Sequence, residues 1–217
     1  MPPTLISVQV GVPRSVMEHG EEVSTGIFKA PVQGRILMRA LNLDGDRQAD
    51  LSVHGGRDKA VYAYPSEHYE FWRKEFPEQE LPWGMFGENV TTEGLTEENA
   101  CIGDRFRIGQ AIVKVTQPRM PCYKLGIRFG RPDMVKRFLA SQRSGIYFSV
   151  VEEGLVSADD AIEKIHEDEN RLSIADINRA YTDARGNEPL VRRIVSLEIL
   201  PRGLHDEFAE ELALLER

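Results

Sequence analysis

The sequence has little of several things. Only two cysteines occur in 217 residues, Cys101 and Cys122. They allow one bridge at most and no disulfide framework, so both are expected to be reduced. They are also too few for an iron–sulfur cluster, and no Gly-x-Gly-x-x-Gly follows a predicted strand, so a flavin or dinucleotide site of that type is excluded. No apolar run of about 18 residues is present, and Met-Pro-Pro-Thr lacks the basic start and apolar core of a signal peptide. A cytoplasmic protein that neither crosses nor grips a membrane is the expectation. Basic charge is scarce as well. The net charge is −8, which argues against non-specific binding of nucleic acid or anionic lipid.

What is present is an ordinary globular composition, 41% hydrophobic and 29% charged. Charge is uneven along the chain. Residues 152–170 carry eight acidic side chains against Lys164 alone, whereas the first 151 residues are close to neutral. An acidic junction of this kind suggests a boundary, giving a body over 1–165 and a small tail over 166–217.

The body reads as β-rich. Leu5–Val12 is rich in β-branched residues and closes at Pro13. Ile27–Val32 and Arg35–Met38 are further extended pieces, Ala60–Tyr64 another, and Arg105–Ile108 with Ala111–Val115 a hairpin; Ile146–Val151 completes the set. Helices are predicted from Pro65-Ser66-Glu67 to Phe76, and from Arg131-Pro132-Asp133 through Leu139. Ser157-Ala158-Asp159-Asp160 has capping-box spacing and predicts a helix through Ile162 and Ile165; Ser173-Ile174-Ala175-Asp176 repeats it before Ile177 and Tyr181. The segment after Pro189 fits a helix or a strand, and Leu204, Phe208, Leu212 and Leu215 recur at helical spacing.

Three stretches carry chemistry. In Thr116-Gln117-Pro118-Arg119-Met120-Pro121-Cys122-Tyr123-Lys124-Leu125, two prolines shape a loop at a strand end, and Arg119 and Lys124 flank a thiol whose thiolate would attack electrophiles or ligate a soft metal. A small buried hydrophobe is the alternative for Cys122; Cys101, with no activating neighbours, reads as structural. In His54-Gly55-Gly56-Arg57-Asp58-Lys59, adjacent glycines leave N–H groups free for an anion, with basic donors around them, or else form a plain turn. Trp83–Val90 holds Gly87, Glu88 and Asn89 in a loop that either approaches a ligand or simply turns.

Together, in this order, these stretches and Lys29-Ala30-Pro31-Val32, Asp50–Tyr64 and Ile102-Gly103-Asp104 resemble the MOSC domain, the molybdenum cofactor sulfurase C-terminal type, over roughly residues 5–155. Residues 173–217 resemble the three-helix tail of its YiiM-like subgroup. The resemblance implies a mainly β fold with α, a β-barrel body with flanking helices plus a small C-terminal helical domain. It implies a molybdenum–pyranopterin cofactor with Cys122 as metal ligand, and Lys29, His54, Gly55, Gly56, Arg57, Lys59, Gly87, Glu88, Asn89, Arg119, Pro121 and Lys124 around it. It further implies reductive detoxification of small N-hydroxylated compounds such as hydroxylaminopurine bases, with His54 or Tyr147 supplying a proton and a separate reductase supplying electrons. A cysteine persulfide carrier and a non-catalytic cofactor-binding protein are the alternatives within the family, and pyridoxal phosphate binding is a further family description.

Overall fold

The structure is a computed structural model that describes residues 2–49 and 55–217. The chain opens with β1 (Thr4–Val10), a hairpin of β2 (Arg14–Glu18) and β3 (Glu21–Thr25), then β4 (Ala30–Pro31) and β5 (Ile36–Met38). A 3-10 turn at Arg57–Lys59 leads into β6 (Val61–Pro65) and α1 (Ser66–Glu75), followed by β7 (Val90–Glu93), β8 (Arg105–Ile108) and β9 (Ala111–Pro118). Next come α2 (Tyr123–Phe129), α3 (Met134–Ser141), β10 (Ile146–Glu152), β11 (Gly154–Val156) and β12 (Ile162–His166). The tail is α4 (Ile174–Thr182), α5 (Glu188–Val195) and α6 (Arg202–Leu215).

Among the described residues eight strands form one sheet in the order β12-β8-β9-β10-β6-β7-β1-β4, in which β6 and β7 alone run parallel. The sheet curls until the β12 edge reaches β1, next to last in the order: Leu5 N–H donates to Asp160 O, Asp159 N–H to Leu5 O and Ile162 N–H to Pro3 O. These bonds bring β12 to β1 without a continuous ladder, so the expected barrel is a strongly curled sheet and not a fully paired cylinder. No helix among the described residues is long and apolar enough to cross a membrane.

Period-two alternation sorts the side chains of β6 between two cores. Val61 and Ala63 face an aliphatic cluster with Leu5, Val113, Phe148 and Ile162. Tyr62 and Tyr64 point the other way, into an aromatic cluster with Tyr69, Trp72, Phe86, Phe129 and Phe138 under α1, α2 and α3. The tail does not build a separate cluster. Leu172, Ile177, Val191, Ile194 and Phe208 join the aliphatic one, and Asp104 fastens the connection by accepting from Cys101 N–H, Asp168 N–H and Lys164 Nζ.

The helix expected after Ser157 is instead a turn followed by β12. Asp160 Oδ2 accepts from Ser157 N–H at 2.8 Å and Asp159 sits at φ +70°, a left-handed conformation that ends regular structure. Ile162 and Glu163 then pair with Ile108 and Arg107 of β8. A side chain three residues on satisfies a turn as well as a helix cap, and the available edge of β8 decides between them. At Ser173 the same spacing does form a capping box with Asp176. Sequence reading also missed the β2–β3 hairpin, β7, and α2, which begins directly after Cys122.

Candidate functional site

One cleft gathers most of the chemistry, and it opens on the aromatic side of the sheet. Tyr147 on β10 pairs in register with Tyr62 on β6, and their rings lie 5.1 Å apart. Both line the cleft with Cys122, Arg119, Lys124 and Lys59. Its empty volume is ≈ 630 Å³ out to the open mouth, enough for a ligand of cofactor size.

Arg119, just beyond the end of β9, is buried. Its guanidinium donates to Phe86 O and stands 4.9 Å over the Tyr62 ring and 5.6 Å over Phe138. Burial opposes its charge, but Tyr62, Tyr147 and Cys122 outweigh that and hold its pKa above the usual value. The fixed cation acts in turn on its neighbours. Burial pushes the phenols of Tyr62 and Tyr147 up, and Arg119 pulls both back down. Tyr62 spends its proton on Ser144 O at 2.7 Å, whereas Tyr147 faces the cleft with its hydroxyl protonated at neutral pH. Cys122 stands between Pro121 and the first turn of α2, as the N-cap residue, half-buried. Cys122 in turn is one of the groups that hold the Arg119 pKa up, so the thiol and this buried cation are electrostatic neighbours. Cys101 lies far from this environment in kind: it is buried, bridges Ser173, and burial with Asp104 raises its thiol pKa.

Lys29 also lines the cleft, yet its charge is committed to the buried Asp46. Burial lowers the Lys29 pKa and Asp46 opposes the shift. Asp46 additionally accepts from Gly11 N–H and Asn89 Nδ2, each at 2.9 Å, and Asn89 Oδ1 accepts from Tyr62 N–H, so Lys29, Asp46 and Asn89 form one brace behind the Tyr62 wall. The Trp83–Gly87 loop presses on that brace. Gly84, at φ +88°, leaves only 2.9 Å between a hypothetical Cβ and Lys29 O, so any other residue would push the loop off the site. Glu88 holds this loop from beneath: it is fully buried and accepts from Tyr69 Oη, Gly84 N–H, Phe86 N–H and Thr91 Oγ1.

The expected residues therefore separate. Lys29, Gly55, Lys59, Gly87, Asn89 and Arg119, with Cys122, Lys124 and Tyr147, line the cleft. Gly56, Arg57, Glu88 and Pro121 do not; Arg57 is exposed at the start of its 3-10 turn. His54 and Asp50–Val53 lie outside the described residues. Asp46, Arg47 and Tyr62 line the cleft without having been singled out from sequence. Asp46 closes the segment Asp44-Gly45-Asp46, whose residue types fit a plain turn; Tyr62, like Tyr64, is placed by alternation opposite the aliphatic core, and that alternation is the signal the sequence offers.

In a chain of net charge −8, the described lining carries Lys29, Arg47, Lys59, Arg119 and Lys124 against Asp46 alone. That surplus suits an anionic ligand. Among the described residues no group of three or more His, Cys, Asp or Glu side chains is placed to hold a metal. A metal here would have to arrive with most of its own ligands and take one from Cys122. A phosphorylated dithiolene–metal complex meets both conditions, so the residues present fit a molybdenum cofactor.

A curled sheet backed by helices, with a cationic cleft around one thiol, is the class of protein the geometry defines. Residues 50–163 match the MOSC domain, and the chain belongs to that family. It is 42% identical to the uncharacterized protein YflK of Bacillus subtilis over 209 residues, 96% of this chain and 94% of that one. It superposes on the crystal structure of YiiM from Geobacillus stearothermophilus with a TM-score of 0.81 at 33% identity, covering 97% of this chain and all of that one, so it is YiiM-like. A protein named Reductase from Gibberella moniliformis is 33% identical over 163 residues, which make up 74% of this chain and 29% of that longer protein.

Proposed function

We propose that this chain is a cytoplasmic, molybdenum-cofactor-dependent reductase of small N-hydroxylated compounds, hydroxylaminopurine bases among them. The observation that supports this best is the placement of Cys122 in a cleft with five cations and a single carboxylate. The reaction breaks an N–O bond, takes up two electrons and two protons, and releases an amine and water. The bound cofactor would supply two-electron chemistry and a centre that accepts oxygen. Cys122 holds the metal in this reading. Lys59, Lys124 and the left-handed Gly55 backbone would hold the cofactor's phosphate, and Arg119 would offset negative charge beside Cys122. Tyr147, kept protonated, holds a proton at Oη toward the substrate side. The Lys29–Asp46–Asn89 brace fixes the wall and takes no proton. Electrons come from a separate protein, consistent with a relative called Reductase in which the homologous segment is less than a third of the chain.

The test is molybdenum and pterin content of protein purified from a host that makes the cofactor, compared with Cys122→Ser, followed by turnover of an N-hydroxylated base. Near-stoichiometric molybdenum lost in the variant, with amine formed only by wild type, is expected. Molybdenum absent from both, with transferable sulfur on Cys122, refutes the reading in favour of a persulfide carrier.

A further inference from the structure

Beside the cleft runs a row of arginines that none of the chemistry above uses. Arg14 on β2 lies 3.4 Å from the centre of the Phe28 ring, and Arg128 on α2 lies 5.1 Å from the same ring. Arg73 stands 5.6 Å from the centre of the Tyr69 ring and 5.5 Å from that of Trp83. Among the described residues, none of the three arginines has an ion-pair or side-chain hydrogen-bond partner. Arg128 Nε is enclosed without any partner, although the chain has 35 acidic residues to draw on. Stacked guanidinium groups of this kind are held in place with their donors unspent.

The row begins at the site. Lys124 lines the cleft and Arg128 follows four residues later on the same face of α2. At 1.5 Å per residue, Arg128 is about 9 Å along the axis from Cys122. Phe28 sits between Ile27 and Lys29, both of which line the cleft. Exposed Val12 and Tyr123 flank the same region and offer apolar anchors among the cations.

We infer that Arg14, Arg128 and Arg73 form the docking surface for the electron donor, an acidic redox protein whose carboxylates satisfy the three guanidinium groups. This rests on the reductase reading, because that chemistry needs two electrons per turnover from outside the chain. Charge complementarity selects the occupant: cations left unpaired in an acidic protein favour a carboxylate-rich partner over a second acidic copy of this chain.

The probe is flavodoxin, a small FMN protein with an acidic face around its flavin, titrated against cofactor-free protein at low and at 0.5 M salt. The variants are Arg14→Glu with Arg73→Glu, and the charge-keeping Arg14→Lys with Arg73→Lys. Wild type is expected to bind saturably at low salt and to lose affinity with added salt. The glutamate pair should weaken binding about tenfold or more, and the lysine pair by about threefold or less. In turnover of an N-hydroxylated base, reduced methyl viologen should serve all three proteins equally, whereas flavodoxin should fail with the glutamate pair alone. Equal flavodoxin affinity in wild type and the glutamate pair, or no binding by wild type, overturns the inference. So does a wild-type dimer that dissociates in the glutamate pair while flavodoxin binding is unchanged. Absence of viologen-driven turnover in wild type refutes the reductase reading instead, and leaves the binding result to stand alone.

Discussion

Replacing Glu88 by alanine tests whether this residue supports the site or touches a ligand. Its carboxylate is the sole acceptor for Gly84 N–H at 2.7 Å and Phe86 N–H at 3.1 Å, both in the loop that presses on Lys29. Tyr69 Oη has a second acceptor in Pro82 O at 3.3 Å, so it loses less. Two buried N–H groups without partners cost about 1–3 kcal/mol each, giving roughly 4 kcal/mol before any cavity is counted. For a chain of this size that is a fall in Tm of about 8–16 °C. The assay is calorimetry or thermal unfolding by circular dichroism on cofactor-free protein. A second variant, Glu88→Gln, adds a pH test. Burial raises the Glu88 pKa and its donors oppose the rise, so the folded state keeps the proton to higher pH than the unfolded chain. The stability this group contributes is therefore complete below its unfolded pKa of about 4.3 and declines as pH rises through the folded value. The gap in Tm between wild type and Glu88→Gln should narrow as pH is raised from about 4.3, the unfolded value, upward. An alanine variant that melts within about 2 °C of wild type yet fails to retain cofactor would refute this reasoning and make Glu88 a ligand-binding residue.

Lys29→Met should cost about 3–5 kcal/mol by stranding the buried Asp46, and adding Asp46→Asn should recover part of that loss in a thermal melt. Asp104→Ala should cost roughly 3 kcal/mol, because Cys101 and Asp168 N–H lose their acceptor; faster hydrogen exchange in residues 166–182 is the accompanying sign that the tail loosens. Arg119→Lys keeps the charge but loses the planar stack on Tyr62 and Phe138, so cofactor retention should fall by about tenfold while the melt shifts little. Cys101→Ser should leave metal content unchanged and lower Tm by only a few degrees, since the pairing of Cys101 with Ser173 is a backbone bridge that the substitution keeps.

Where one covalent or local rule decides the outcome, the sequence alone was sufficient. β-branched alternation gave β1, and extended runs bounded by turn residues gave β6, β8, β9 and β10; the Ser173 capping box gave α4; prolines at positions 118 and 121 marked the loop that carries Cys122. The ordered motifs identified the family, and several of their polar residues do line one cleft. What the sequence could not decide depends on partners far along the chain. Ser157 and Asp160 satisfy a turn or a helix equally well until the edge of β8 accepts Ile162. Glu88 and Asn89 are adjacent polar residues of one loop, and only the packed structure sends Glu88 inward to hold backbone and Asn89 to the cleft beside Asp46. Lys29 reads as a free cation until Asp46, seventeen residues later, folds against it. Burial, charge pairing and the meeting of Tyr62 with Tyr147 are properties of distance in space. Tertiary structure alone sets those distances, because the side chains concerned are brought together by strand register and by a curled sheet and not by spacing along the chain.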